Sequence, residues 1–225
     1  FSGDMRDFQK PIVQAYIDAT TSASTGGGGL LEVPCGKGKT VMALNIISRV
    51  GRKTLVIVHK EFLLNQWIER IEQFLPTAKV GRIQGQIVDT EGKDIVIGML
   101  QSLSMKEYPQ DLFAQFGLTI IDETHHIAAE VFSRALFKIV SRHMLGLSAT
   151  MNRKDGLTKV FKMFIGDIVY SIKREDTDEV VVQALTYETN DDEFNETVYN
   201  FKGQTHYSII IKNLCDFNVR REFIL

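Results

Sequence analysis

Short apolar runs alternate with amphipathic stretches along the first two thirds of the chain. The runs are four or five residues long and rich in valine, isoleucine and leucine, as buried strands are. Between them, apolar residues recur at the spacing of helices. The predicted strands are 30–33, 54–58, 94–97, 118–121 and 144–147, and the predicted helices are 41–50, 61–75 and 128–140. Repeated strand–helix–strand units predict an α/β fold, a parallel sheet with helices on both faces.

One predicted helix, 61–75, shows which of its faces should be buried. Apolar residues at helical spacing are expected to pack against the sheet. They are Leu64, Ile68, Ile71 and Leu75. Trp67 is expected in the core, because tryptophan is usually highly buried, although a surface role stays open.

The composition is that of a soluble globular protein. The 225 residues are 44% hydrophobic and 24% charged, enough for one substantial core and a smaller appendage. The formal net charge of -2 predicts no overall basic field, so a nucleic-acid surface would have to be a local groove. No apolar stretch approaches the roughly 18 residues of a membrane span, and no signal peptide opens the chain. We expect a protein of the cytoplasm or nucleus, with no membrane partner and with Cys35 and Cys215 as free thiols.

A glycine-rich loop, Pro-Cys-Gly-Lys-Gly-Lys-Thr at residues 34–40, follows the first predicted strand and precedes a helix. Such a turn directs backbone N–H groups and the positive end of a helix at one point, where phosphate binds. Gly36 and Gly38 allow the backbone to approach a ligand closely. The loop therefore predicts a site for a nucleoside triphosphate.

Side chains of this loop suit ATP and Mg²⁺. Lys39 is expected to reach the β- and γ-phosphates, with Lys37 beside it, and the Thr40 hydroxyl is expected to bind Mg²⁺. Val33 stands where the strict phosphate-loop pattern has a glycine. By itself, the segment could therefore also be an ordinary glycine-rich turn.

Two acidic residues follow the predicted strand at 118–121. Asp122 and Glu123 would lie at its carboxyl end, the edge at which open α/β sheets bind ligands. Asp122 is expected to hold Mg²⁺, and Glu123 to orient or deprotonate the attacking water. The hydroxyls of Ser148 and Thr150, after the next strand, could bond to these carboxylates.

The order of the motifs resembles helicase superfamily 2, of the DExH type. The loop at 34–40, Asp-Glu-Thr-His at 122–125 and Ser-Ala-Thr at 148–150 are similar to its motifs I, II and III. The resemblance covers about residues 6–165 and implies a RecA-like phosphate-loop NTPase that hydrolyses ATP to move along nucleic acid. The catalytic residues that it implies are Lys39, Asp122, Glu123 and His125.

The resemblance implies further roles around the ATP site. Arg6 and Gln9, before the first helix, are similar to the segment that reads adenine, with Gln9 at the position of the glutamine that contacts the base. His125 would link the ATP site to motif III. Coupling to nucleic acid would pass through Ser148, Thr150 and Arg153.

Two other segments resemble motifs Ia and Ib, which touch the nucleic-acid backbone in the family. The residues concerned are His59, Lys60, Gln101 and Ser102. The implied partner is nucleic acid, with DNA favoured over RNA.

Within the superfamily, the Pro-Cys loop and Arg-Lys-Asp-Gly-Leu at 153–157 resemble the branch of the xeroderma-type repair helicases. The amino-acid sequence at 147–161 is most similar to that of the transcript-release helicases of large DNA viruses. A viral origin would place the protein in the host cytoplasm or the virion. Met151 stands where many relatives carry proline, so the turn after motif III is expected to differ.

The pattern changes after Gly166. Residues 1–170 are expected to form the RecA-like domain, and 171–225 the linker and the start of a second motor domain, with a strand at 180–182 and a helix at 208–225. Because the sequence ends inside that apolar helix, we expect a piece of a longer protein. The missing domain would supply arginines worth about 10³ to 10⁵ in rate, so the piece alone should hydrolyse ATP poorly.

Other chemistries fit the sequence less well. A zinc site at His125, His126 and Glu130 is disfavoured, because adjacent histidines point in different directions and no cysteine pair is near. Residues 146–150 lack the second glycine of a nucleophile elbow. Two alternatives stay open: a small-molecule phosphotransferase that shares the loop and sheet, and a non-catalytic scaffold that keeps the ATPase fold.

Overall fold

The computed structural model describes residues 1–21, 26–109, 111–122, 129–139, 141–149, 157–172, 186 and 188–224. The chain divides into two compact units, Phe1–Arg174 and Glu175–Leu225. The first unit holds the sheet and the predicted motifs.

The helices described in the first unit are α1 (Gln9–Thr21), α2 (Lys39–Val50), α3 (Glu61–Phe74), α4 (Leu100–Met105), α5 (Ala129–Leu136) and α6 (Leu157–Ile165). The strands are β1 (Gly27–Glu32), β2 (Thr54–Val58), β3 (Val80–Gln84), β4 (Ile87–Val88), β5 (Ile95–Met99), β6 (Leu118–Ile121), β7 (His143–Ser148) and β8 (Ile168–Ser171). They form one sheet in the order β4-β3-β5-β2-β6-β7-β1-β8. The pairings are parallel, except that β4 is antiparallel to β3. The predicted α/β fold is confirmed.

Strand β2 shows how the sheet is covered on both faces. All five of its residues are buried, and successive side chains point to opposite faces. Val56 and Val58 belong to a core cluster with residues of α1, α2 and α3, whereas Leu55 and Ile57 belong to a second cluster with residues of α4, α5 and α6. Two hydrophobic layers therefore enclose the sheet, as a parallel sheet requires.

Helix α3 buries the face that its sequence predicts. Leu64 and Ile71 are buried, and Ile68 and Leu75 are partly buried against the same cluster. Trp67 is only 1% exposed, so its predicted place in the core is confirmed.

Elements with weaker sequence patterns were not predicted. Strand β3 carries Gly81 and the exposed Arg82 within five residues, so its apolar pattern is broken. Strand β4 has two residues, both exposed. Pairing with neighbouring strands, rather than local preference, forms these elements.

The second unit contains α7 (Asp192–Asn195), α8 (Tyr207–Asp216) and α9 (Asn218–Ile224). The single helix predicted at 208–225 is wrong, because Phe217 has extended backbone angles (φ -67°, ψ 106°) and separates α8 from α9. Its neighbours Asp216 and Asn218 have low helix preference. The strand predicted at 180–182 lies outside the described residues. Among the residues described, no helix has the length and apolar character needed to span a membrane.

Gly28 lets β1 approach the end of α6. A Cβ atom at this position would lie 1.9 Å from the backbone carbonyl oxygen of Ile165. At the adjacent Gly27, the nearest atom would be the Ala19 carbonyl oxygen at 3.5 Å, an ordinary contact. Of this pair, Gly28 is therefore the glycine that must lack a side chain for packing.

We predict that Gly28→Ala lowers the free energy of unfolding by about 1–3 kcal/mol, as overpacking typically does. The matched control Gly27→Ala should have an effect near zero. Urea denaturation of both variants measures the difference. Equal losses in the two variants would contradict the close approach of β1 and α6.

Candidate functional site

The glycine-rich loop joins β1 to α2 at the carboxyl edge of the sheet. Gly36 (φ 78°) and Gly38 (φ 81°, ψ 40°) adopt left-handed conformations, and Gly38 is the N-cap of α2. These angles bring the loop into the first turn of the helix, where backbone N–H groups lack helical partners. The predicted strand–turn–helix arrangement is confirmed. Val33, the departure from the strict pattern, is fully buried in the core.

Lys39 begins α2 and is nearly buried, with 8% of its surface exposed. Its Nζ lies 3.4 Å from the carbonyl oxygen of Val33 and 3.9 Å from Sγ of Cys35. The ammonium group is thus held against the loop. A cation held at the loop, at the positive end of α2, suits an anionic ligand. Thr40, the next residue, is half-buried.

Gln9 ties the segment before α1 to the glycine-rich loop. Its Nε2 donates to the carbonyl oxygen of Lys37 at 2.9 Å, and its Oε1 accepts from the backbone N–H of Arg6 at 3.0 Å. Gln9 is 3% exposed, and a Cβ atom on Gly38 would lie 2.5 Å from its Nε2. The amide is therefore packed on the loop. Its predicted contact with adenine stays a prediction, as does that of Arg6.

An ion pair supports the same segment. Lys10 Nζ donates to Oδ1 of Asp7 at 2.8 Å on the exposed side of α1. This hydrogen bond and the charge of Lys10 lower the pKa of the Asp7 carboxyl, and the same bond and the charge of Asp7 raise the pKa of Lys10.

Asp122 directly follows β6 and is 5% exposed. Its backbone N–H donates to the carbonyl oxygen of Ile57 at 3.0 Å. Its Oδ2 accepts a hydrogen bond of 2.8 Å from Nε1 of Trp67, so the indole touches the carboxylate predicted to bind Mg²⁺. No sequence motif predicts this contact. The available signal was that a buried tryptophan N–H usually finds a hydrogen-bond partner.

Ser148 lies between the two halves of the predicted ATP site. It ends β7, which is the neighbour of both β6 and β1. It is fully buried, and its carbonyl oxygen accepts a 2.8 Å hydrogen bond from the N–H of Val33. Motif III is therefore joined to the strand that carries the glycine-rich loop. The predicted bond from the Ser148 hydroxyl to an acidic residue stays a prediction.

Four predicted site residues lie outside the described residues. They are Glu123, His125, Thr150 and Arg153. Their catalytic and coupling roles stay predictions.

The four predicted nucleic-acid contacts follow adjacent strands. His59 and Lys60 come after β2, and Gln101 and Ser102 lie in α4 after β5. Gln101 Nε2 donates to the carbonyl oxygen of His59 at 2.9 Å. Ser102 Oγ accepts from the N–H of Gly85, at the turn between β3 and β4, at 2.9 Å. The structure thus gathers these residues at the carboxyl edge of the sheet.

Lys60 belongs to an exposed part of this group. Its Nζ lies 5.8 Å from the ring centroid of Phe62, which is 62% exposed. The ammonium group over this exposed ring places a positive charge at the edge, as a contact with a nucleic-acid phosphate requires.

The groups at this edge fit a magnesium–triphosphate complex. A nearly buried lysine and a left-handed glycine follow β1, and a buried aspartate follows β6, with only β7 between these two strands. This is the combination by which phosphate-loop NTPases hold the β- and γ-phosphates and the metal.

Comparison with known proteins gives a matching family. Residues 2–153 match the family described as "Type III restriction enzyme, res subunit". The chain is 36% identical over 228 aligned residues to "Putative ATP-dependent RNA helicase L396" of Acanthamoeba polyphaga mimivirus, covering 100% of this chain and 43% of that protein. It is 32% identical over 169 residues to the DNA 3'-5' translocase XPB2 of Sulfurisphaera tokodaii, covering 74% of this chain and 35% of that protein. The chain thus spans less than half the length of these curated relatives.

Solved structures share the fold. The UvsW helicase of bacteriophage T4 superposes with a TM-score of 0.62 at 19% identity, over 76% of this chain and 62% of that one. The Sulfolobus solfataricus SWI2/SNF2 ATPase core in complex with dsDNA gives 0.61 at 17% identity, over 73% of this chain and 36% of that one. At these identities the likeness concerns the fold alone.

We predict that Gly38→Ala weakens ATP binding more than Gly36→Ala. Both glycines have positive φ, but only at Gly38 would a Cβ meet Gln9, whereas at Gly36 it would meet nothing within 4 Å. Gly38→Ala should therefore have the larger Kd for ATP, because Gln9 or the loop must shift to make room for the Cβ. Titration with a fluorescent ATP analogue measures both constants. Similar constants for the two variants would mean that the Gln9 contact does not shape the loop.

Proposed function

Because this chain belongs to the family of the type III restriction enzyme res subunit, and is a helicase-type ATPase motor domain, we propose that it is the first RecA-like domain of an ATP-driven translocase or helicase. One observation carries the proposal. The glycine-rich loop, Asp122 and the groups at His59 and Gln101 lie at the same edge of one sheet. ATP chemistry and nucleic-acid contact can therefore be coupled through adjacent strands.

In the proposed site, different residues contact the phosphates and the adenine of ATP. Lys39 and the loop of Gly36 to Gly38 contact the phosphates, with Lys37 at the rim, and Gln9 and Arg6 contact the adenine. Support comes from the burial of Lys39 and Gln9 against the loop.

Asp122 and Thr40 hold Mg²⁺ in this proposal. Held there, a magnesium ion would supply positive charge that offsets the charge of the triphosphate. Glu123 orients the attacking water in this proposal. The residues that couple the ATP site to the nucleic-acid site are His125, Ser148, Thr150 and Arg153.

We propose that the motor moves along DNA. The XPB2 relative is named a DNA translocase, and the SWI2/SNF2 core was solved with dsDNA, although the mimivirus relative is named an RNA helicase. His59, Lys60, Gln101 and Ser102 would contact the backbone of one strand. Binding through phosphates gives an affinity that falls with salt.

A second RecA-like domain completes the motor in this proposal. The relatives are more than twice as long as the matched part, which leaves room for it. ATP would close the two domains on each other and hydrolysis would reopen them, producing a step. The protein would work in the cytoplasm or nucleus, or, if it is viral, in the host cytoplasm or the virion.

We predict that the ATPase rate of the protein that carries this chain rises with duplex DNA, and that Lys39→Ala lowers the stimulated rate. The loss should be about 10²- to 10³-fold, as when one group that stabilises transition-state charge is removed. Initial rates with duplex DNA, single-stranded DNA and RNA measure the effect.

The control for this experiment is Lys79→Ala. Lys79 is exposed and immediately precedes β3, so it lies at the opposite edge of the sheet. Stimulation by RNA alone would contradict the DNA preference. No Lys39-dependent rise with any nucleic acid would favour a scaffold or a small-molecule phosphotransferase.

We predict that Lys60→Ala lowers the salt dependence of DNA binding. One lost phosphate contact should reduce the slope of log K against log salt by about 0.9 for duplex DNA. Fluorescence anisotropy at several salt concentrations gives the slope, again with Lys79→Ala as control. An unchanged slope in Lys60→Ala would show that Lys60 does not contact a DNA phosphate.

A further inference from the structure

A tryptophan in the core contacts the carboxylate at the centre of the proposed ATP site. Trp67 lies on α3, is 1% exposed, and donates from Nε1 to Oδ2 of Asp122 at 2.8 Å. The indole N–H can only donate, and an ionised carboxylate can only accept. Hydrogen bonds to charged groups are shorter and stronger than those between neutral groups. The contact is therefore specific in direction and suited to an ionised Asp122.

We propose that Trp67 is a positioning residue that fixes the carboxylate of Asp122 for Mg²⁺. This inference rests on the proposed function, in which Asp122 holds the metal. No motif assigns such a role to Trp67, and four strands and a helix separate α3 from Asp122 along the chain.

Two restraints act on Asp122 together. Its backbone N–H donates a hydrogen bond to the carbonyl oxygen of Ile57 on β2, which restrains the position of the Asp122 Cα. The indole then fixes one carboxylate oxygen and with it the plane of the group. A metal ligand held in advance spends less conformational freedom on binding.

The indole itself cannot move easily. Trp67 is among the largest fully buried side chains of the protein and packs in the cluster formed by α1, α2 and α3. Partners of metal ligands typically change metal affinity or activity by about 10- to 100-fold when they are removed. That range sets the size of the expected effect.

The first experiment uses the emission of Trp67, the one tryptophan in the 225-residue sequence. Indole emission responds to a charge beside the ring. Asp122→Asn should therefore shift the emission in the absence of metal. In the wild-type chain, adding MgCl₂ to protein with adenylyl-imidodiphosphate should shift it as well, and EDTA should reverse the change. Emission that is insensitive to both Asp122→Asn and MgCl₂ would overturn the inference.

The second experiment compares Trp67→Phe with Tyr16→Phe in the protein that carries this chain. Tyr16 is a matched control, because it is fully buried and its hydroxyl donates to the carbonyl oxygen of Met144 at 3.1 Å. Both variants lose one buried hydrogen bond, but only Trp67→Phe loses the bond to Asp122. We expect the Mg²⁺ concentration for half-maximal ATPase activity to rise about 10- to 100-fold in Trp67→Phe, with an unchanged KM for ATP and no such rise in Tyr16→Phe.

The outcomes separate this inference from the proposed function. A Lys39-dependent ATPase with an unchanged Mg²⁺ requirement in Trp67→Phe would overturn the positioning role alone. An equal rise in both variants would assign the effect to lost stability and would also overturn it. If Trp67→Phe fails to fold, or if the wild-type protein shows no Lys39-dependent ATPase, the emission experiment decides the role of Trp67.

Discussion

Parallel pairing of β1, β7, β6, β2 and β5 gathers the carboxyl ends of these strands at one edge of the sheet. The glycine-rich loop, Ser148, Asp122, His59 and Gln101 all follow or end these strands. A slip of one residue would turn each buried side chain to the opposite face, so the two hydrophobic layers hold the register. The site therefore inherits its geometry from the packing of the whole sheet.

Polar groups at this edge are buried to an unusual degree for a surface of the protein. The buried side chains are those of Lys39, Gln9, Asp122 and Ser148, each at most 8% exposed. Burial strengthens every electrostatic contact but makes each one costly to leave unsatisfied. Gln9 and Asp122 meet this requirement with hydrogen bonds to the loop and to Trp67. The fold thus holds these groups in place before any ligand arrives.

Local sequence predicted the parts of the fold that are buried on both faces. Strands β2 and β6 are continuous apolar runs, and their bounds match the prediction residue for residue. The positions of the glycine-rich loop and of Asp122 at strand ends were also predicted, because each follows directly on an apolar run in the sequence. The bond between Trp67 and Asp122 joins positions 55 residues apart, so no local pattern contains it. The break between α8 and α9 at Phe217 was not predicted either, because apolar residues continue on both sides of it.

Helix α3 starts immediately after Lys60 and carries Trp67 two turns further on. At 1.5 Å per residue, the two positions are about 10 Å apart along a nearly rigid rod. Lys60, the N-cap of this helix, and Trp67, whose indole donates to Asp122, therefore belong to one rigid element that reaches from the predicted nucleic-acid contact to the predicted metal ligand.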